Sequence, residues 1–357
     1  MTDSDRTRQA SSPLCRHVRS MGTLWKSWIS IRARALHSQN KQTAEDARRI
    51  DQNPSGVLRA LHEELRRKEF RFALQRAVLQ KRKGKNPRPI VVSPVTNRIV
   101  QRAILEMLQD QRPSSIRRLG DIPTALHTPT SVGGIPGKGA SDAVRLIKNA
   151  INDGANFFIR SDIKEFFTRV PNNKLITSIR QQNNDDDFAD LVESGLAVEL
   201  ENAADPIVAE WRWLFPDGET GVPQGSSLSA FCTNYVLREF DKRLNGPGLT
   251  TVRYIDDFVI LGKSQDAVDG AWLKAEQILG HLGLQAHCPI SAGKKASRGN
   301  VGDGFDFLSY RFRNTKIGLS RDVKQRLISE IVAEIASAKK SETSGKPDFC
   351  VLTVFFG

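Results

Sequence analysis

One stretch constrains this chain more than any other: Arg253-Tyr254-Ile255-Asp256-Asp257-Phe258-Val259-Ile260. Thr250, Thr251 and Val252 precede two adjacent carboxylates, and Phe258 to Leu261 follow them. β-prone residues on both sides predict a short hairpin with acids at its tip. A tip chosen for turn geometry alone favours Asn-Gly or Asp-Gly. Two neighbouring acids repel each other and suit a sheltered site only beside a cation. A local rule broken without local gain tends to mark a functional site. An isolated Asp-Asp is more often a solvated turn, so a third carboxylate and a nucleotide pocket elsewhere must decide.

Candidates for both lie upstream. Phe157 to Arg160 read as a strand that ends at Asp162, followed by a helix-like segment with Phe166 and Phe167. An acid at a strand end can reach a cleft; facing Asp256, it would complete a hard-oxygen site for Mg²⁺. Gly221-Val222-Pro223-Gln224-Gly225-Ser226 is a small-residue turn opening a helix with Phe231, Tyr235, Val236, Leu237 and Phe240. Backbone N–H groups at such a start suit an anionic or flat ligand. Lys81 to Val92 form a basic loop punctuated by Gly84, Pro87 and Pro89. Its lysines offer point charges and Arg88 a bidentate fork, both suited to phosphate.

The remaining chain reads mainly as helices. Residues 1–20 are polar and expected to be poorly ordered; Trp25, Trp28, Ile29 and Ile31 fall on a basic helix at 24–36. Residues 56–80 have helical spacing, and Ile99, Val100, Ala103, Ile104, Met107 and Leu108 form the stripe of another helix. Ser131 to Ala143 is Gly-rich but fits neither phosphate-loop nor dinucleotide templates; it reads as a plain loop or as backbone that approaches nucleic acid closely. The insert at 171–217 reads as helical surface with Asp185, Asp186 and Asp187 solvated. Ser264 is placed to cap a helix, Gly304 to Phe312 reads as hairpin strand, and a last helix near 320–340 is expected to bury Leu327, Ile328, Ile331, Val332 and Ile335.

Charge supplies a partner class. The formal net charge of the 357 residues is +13, and residues 1–118 hold 26 Lys/Arg against 10 Asp/Glu. The remainder is mildly acidic, so a polyanion-binding region precedes a carboxylate-bearing one. No apolar run approaches the ~18–20 residues of a membrane span. A polar N-terminus without an apolar signal core and four scattered cysteines point to a cytoplasmic protein with reduced thiols. His281, His287 and Cys288 lack metal-ligand spacing and read as structural.

In this order the stretches resemble the reverse transcriptases of bacterial retroelements: the basic loop and helix at 81–108, the Gly-rich 131–143, D-I-K-E-F-F at 162–167, G-V-P-Q-G-S-S-L-S at 221–229, Y-I-D-D at 254–257 and F-D-F-L-S-Y-R-F at 305–312. The resemblance covers roughly residues 55–315. It implies an α+β right-hand polymerase: a basic extension at 1–54, fingers at 55–155, a palm of antiparallel sheet packed on helices at 156–312 with the insert at about 171–217, and a short helical thumb or truncated region at 313–357.

It further implies RNA-directed DNA synthesis from dNTPs. Two Mg²⁺ ions, with Mn²⁺ as an alternative, would be held by Asp162, Asp256, Asp257 and the backbone carbonyl of Ile163. Lys85, Arg88, Phe167 and Gln224 match substrate-binding positions, Phe167 as a steric gate against ribose. Lys294 or Lys295 matches a general acid, and Phe307, Leu308 and Tyr310 a primer grip. The retron motifs N-A-x-x-H and V-T-G are missing, Ala230 stands where the family usually has proline, and no maturase or endonuclease domain is expected after Phe312. The closest character is that of defence-associated or abortive-infection enzymes, which implies a non-coding RNA template and homo-oligomers. Untemplated or protein-primed synthesis from Tyr235, Tyr254 or Tyr310, and a non-catalytic RNA-binding scaffold, are the alternatives.

Overall fold

The computed structural model describes residues 12–343 except 83, 184, 219 and 291–294. Its centre is a four-stranded antiparallel sheet. The chain first makes a separate hairpin, β1 (Arg76–Arg82) with β2 (Lys85–Val92), then β3 (Phe157–Asp162), β4 (Leu249–Tyr254), β5 (Asp257–Gly262) and β6 (Ser297–Asn300). The sheet order is β4-β5-β3-β6. β4 and β5 are the predicted hairpin, and the register pairs Asp257 with Tyr254 on one side and with Asp162 on the other.

The apolar run after the acids is continuous because β5 is covered on both faces. Phe258 and Ile260 join a large helical core, while Val259 and Leu261 join a second core with Phe158, Phe305 and Phe312. All four are fully buried, worth about 1.5–3 kcal/mol each. On one face pack the helices Ser227–Val236, Arg238–Arg243 and Gln265–His281, the last capped by Ser264 as expected. On the other lie the helix Ala140–Asn152 and a small sheet of β7 (Phe305–Phe307), β8 (Tyr310–Arg313) and β9 (Lys316–Leu319). Phe158, Phe305 and Phe312 stack in series, with ring centroids 4.5 and 5.2 Å apart.

Several expectations are corrected. Residues 56–80 are not one helix: the helix is Pro54–Arg67, closed by Lys68 in the left-handed region, and β1 follows. Leu65 falls on the helical stripe, but Ala77 instead packs beside Val91 of β2. Pro13–Val18 form a helix that buries Leu14 and Val18, with Ser12 donating to Asp185 at 2.6 Å; residues 1–11 lie outside the described residues. Asp185 is therefore not solvated. It also caps the helix Asp186–Leu196, whose Phe188, Val192 and Leu196 enter the main core. The stripe on the last helix, Arg321–Thr343, is not buried either: Ile328, Ile331 and Val332 are more than half exposed. The helix Met21–Leu36 does dock, with Leu24 and Trp28 buried. Among the described residues no helix is long and apolar enough to cross a membrane.

Candidate active site

The β4–β5 connection is a two-residue turn, Ile255-Asp256, so Asp257 already belongs to β5 and only Asp256 sits at the tip. Ile255 has φ +59°, in a region that a β-branched side chain enters only under constraint. Two contacts hold the tip. Ile163 N–H donates to the Asp256 carbonyl at 3.1 Å, tying the turn to the end of β3. Arg253 Nη1 donates to the Ile255 carbonyl at 2.8 Å. Together with the β3–β5 register, this sets Asp162, Asp256 and Asp257 beside one another at one end of the sheet.

They open into a cleft of about 1330 Å³. Its walls bring together most of the sequence-predicted residues: Arg88, Asp162, Ile163, Phe167, Gln224, Asp256, Asp257, Lys295 and Leu308 all line it. The basic loop supplies one wall as the β1–β2 hairpin. Val91 N–H donates to the Gln224 carbonyl at 3.0 Å, and Val222 N–H to the Phe167 carbonyl at 2.7 Å. The 221–225 turn thus bridges the hairpin and the short helix Phe166–Arg169. Gly221 has φ +82°, and a Cβ there would stand 2.7 Å from the Thr168 carbonyl oxygen, so only glycine fits this bridge.

Phe307 and Tyr310 do not line the cleft. Phe307 is buried in the second core with Tyr310 packed against it, so of these three expected residues only Leu308, at φ +47°, reaches the opening. Lys294 and the side chain of Lys85 lie outside the described residues. Of the tyrosines offered as priming hydroxyls, Tyr254 lines the cleft, while Tyr235 is only 1% exposed.

The electrostatics are those of crowded acids only partly compensated by Lys295 and Arg160. Burial, reinforced by Asp162 and Asp257, pushes the Asp256 carboxyl up to about 7. Asp257 is raised by burial and by Asp162, against which Arg160 and Lys295 pull. Lys295 Nζ donates to Asp162 Oδ2 at 2.6 Å and lies 3.3 Å from His287 Nε2. His287 is therefore a site residue and not a remote structural one; burial, aided by Lys295, lowers its pKa. Its backbone N–H also donates to the Asp162 carbonyl at 3.0 Å.

Among the described residues no group of three or more His, Cys, Asp and Glu donors is already drawn together as a metal site. The donor chemistry nonetheless fits a divalent cation. Three hard carboxylates share one half-buried end of a sheet, and burial together with its two acidic neighbours drives one of them toward protonation.

The profile of the family described as reverse transcriptase (RNA-dependent DNA polymerase) matches residues 79–289. The chain belongs to this family. Its fold is accordingly the α+β right-hand polymerase, built on antiparallel sheets. This reverse transcriptase is 25% identical over 301 residues to protein YkfC of Escherichia coli (strain K12), covering 73% of this chain and 71% of that one. It is 26% identical over 170 residues to the group II intron-encoded protein LtrA of Lactococcus lactis subsp. cremoris, covering 47% of this chain and only 25% of that one. Among solved structures, apo telomerase from Candida tropicalis overlaps it with a TM-score of 0.47 at 14% identity, covering 70% of this chain and 48% of that one. A partial Cas6-RT-Cas1–Cas2 complex overlaps with 0.39 at 20% identity, covering 76% and 43%.

Sequence reasoning missed the supports of the reverse transcriptase site. Gly133 is one: a Cβ there would stand 2.5 Å from the Ile255 nitrogen. The Gly-rich segment thus approaches the chain's own acidic turn, and Thr130 and Val132 hydrogen-bond the backbone of Arg253 along β4. Asp241 and Arg253, both essentially unexposed, form another support. The available signal was an arginine inside an otherwise β-prone apolar run.

Proposed function

We propose that this reverse transcriptase copies an RNA template into DNA by divalent-metal phosphoryl transfer, with Asp162 and Asp256 as the essential acids and Asp257 as a less critical third. The observation that carries the reading is the convergence of these acids with Arg88, Phe167 and Gln224 on one cleft. Two Mg²⁺ ions, or Mn²⁺ in their place, would be held by the three carboxylates and the Ile163 carbonyl, and when bound would supply charge neutralisation and a more acidic primer hydroxyl.

The chain's own groups supply position. Asp162 and Asp257 are fixed opposite each other by the β3–β5 register, and Asp256 is aimed by its turn. Arg88 can bind triphosphate oxygens with a planar fork. Phe167 lines the cleft, and on this reading its ring opposes a ribose 2′-hydroxyl and favours deoxynucleotides. Lys295 stands within reach of both Asp162 and His287 and can deliver a proton to departing pyrophosphate, with His287 as its neighbour in that exchange.

On this reading residues 1–54 are a basic extension, 55–155 the fingers, 156–312 the palm with an insert at about 171–217, and 313–357 a short helical thumb or a truncated C-terminal region. The template is a dedicated non-coding RNA, the protein acts in bacterial antiphage defence, and it works in the cytoplasm. The test incubates purified protein and its co-purifying RNA with labelled dNTPs or rNTPs and Mg²⁺. DNA synthesis is expected with wild type and none with Asp256→Ala. Wild type that incorporates nothing on any template, or incorporation that survives Asp256→Ala, overturns the reading. Sequencing the co-purified nucleic acid and counting plaques with and without active enzyme test the template and the defence role.

A further inference from the structure

Asp256 is clamped on both of its peptide planes. The Ile163 N–H holds its own carbonyl, and Arg253 Nη1 holds the carbonyl just before it, on Ile255. The second clamp comes from behind the sheet. Val252 faces the second core, so Arg253 faces the helices of the main core, where it is 0% exposed. Its Nε donates to Asp241 Oδ1 at 2.6 Å and its Nη2 to Asp241 Oδ2 at 2.5 Å and Asn234 Oδ1 at 2.9 Å. Asn234 continues the network, donating to the Gly133 carbonyl at 3.0 Å and accepting from Ser131 at 3.1 Å.

Such a pair is a poor choice for stability alone, since apolar residues of similar volume often do as well or better. It does fix direction. A guanidinium fork gripped by a carboxylate has one orientation, and here its free edge meets the carbonyl of a residue at φ +59°. Without that contact Ile255 gains by leaving the left-handed region, and the Ile255–Asp256 peptide turns with it. Asp241 and Asn234 sit on the two helices that follow the Gln224 turn. The same helical pair therefore carries the nucleotide wall at its start and the support of the acid turn along its length.

We infer that Asp241 and Arg253, with Asn234 between them and the Gly-rich segment, are positioning residues that hold Asp256 in its working orientation without touching substrate. The inference rests on the polymerase reading above. A displacement of about 1 Å at a reacting centre lowers rate about a hundredfold, so a small rotation of this peptide is enough to matter.

The test removes both charges together in Asp241→Leu/Arg253→Met, which avoids stranding one buried ion. Arg253→Lys is the second variant; it keeps the charge pair but lacks a fork able to span Asp241 and the Ile255 carbonyl. Primer extension is measured against dNTP and Mg²⁺ concentration, with thermal melting of each protein. A folded variant is expected to lose tenfold or more in kcat with KM for dNTP within about threefold, and to need more Mg²⁺. Adding Ile255→Gly, which accepts positive φ freely, is expected to restore at least fivefold of that loss. A purely structural role would not respond to this third change. Wild-type kcat in either folded variant, or no recovery from Ile255→Gly, overturns the inference. Asp256→Ala run in parallel separates the two failures. An active Asp256→Ala sinks the site itself, whereas an inactive one beside wild-type pair variants sinks the positioning role alone.

Discussion

At the scale of single residues the acids make opposite demands on stability and on chemistry. Asp256 holds its proton up to about 7 against an ordinary value of 3.8. Between those values the folded chain binds a proton that the unfolded chain has released, so metal-free stability falls as pH rises from about 4 to 7. Thermal melts in chelator at about pH 5 and pH 8 should show wild type losing more than Asp256→Asn over that interval. Mg²⁺ at the upper pH should then raise the melting temperature of wild type and leave the variant nearly unmoved. Phe167→Ala should shift the dNTP/rNTP preference at least tenfold toward rNTPs; an unchanged ratio in competition assays would remove the gate. Arg253→Ala strands the buried Asp241 and should lower unfolding free energy by about 3–5 kcal/mol, read from denaturant titration. Asp162, Asp256 and Gln224 were legible in sequence because each breaks a local pattern, an acid ending or interrupting a strand or a glutamine inside a small-residue turn. Asp241 breaks none. Its meaning depends on an arginine twelve positions later that only the packed sheet brings to it.

At the scale of elements, legibility followed burial. β5 and the helix Val95–Leu108 were read correctly because their apolar pattern is the pattern of what covers them. β1 was misread as helix: a seven-residue strand with a largely exposed face gives little alternation to detect. The helix Arg321–Thr343 shows the converse. Its stripe has the spacing of a buried face, yet among the described residues nothing folds over it. Ile331→Gln should therefore change stability by no more than about 0.5 kcal/mol, as at an ordinary surface position, in place of the 2–5 kcal/mol lost from a buried site. Gly133→Ala is the sharper case at this scale. Its Cβ would meet the Ile255 nitrogen at 2.5 Å and the Tyr254 carbonyl carbon at 2.8 Å, backbone atoms that no rotamer change can move, as well as Ile255 Cγ1, so the segment and the acidic turn must separate. Primer extension should fall at least tenfold while the protein keeps its far-UV spectrum.

At the scale of the whole molecule, the basic N-terminal third and the mildly acidic remainder were visible as a charge split before any fold was known. The single large core was not: helices from residues 13 to 52 share it with the palm helices, a union that periodicity cannot reveal. If the basic third grips template phosphates, RNA affinity should fall at least a hundredfold between about 50 and 200 mM salt, and a flat response in filter binding would remove that role. The sheet order has a consequence for synthesis. β3 pairs with β5 and β6, which begin 95 and 135 residues after it ends. At about 5–20 residues per second, a nascent chain therefore carries Asp162 on an unpaired strand for several seconds or more, with both edges open to other chains. The ribosome adds about 95 residues beyond β3 before that strand can gain a neighbour, so yield in the cell should depend on chaperones and temperature more than equilibrium stability would suggest.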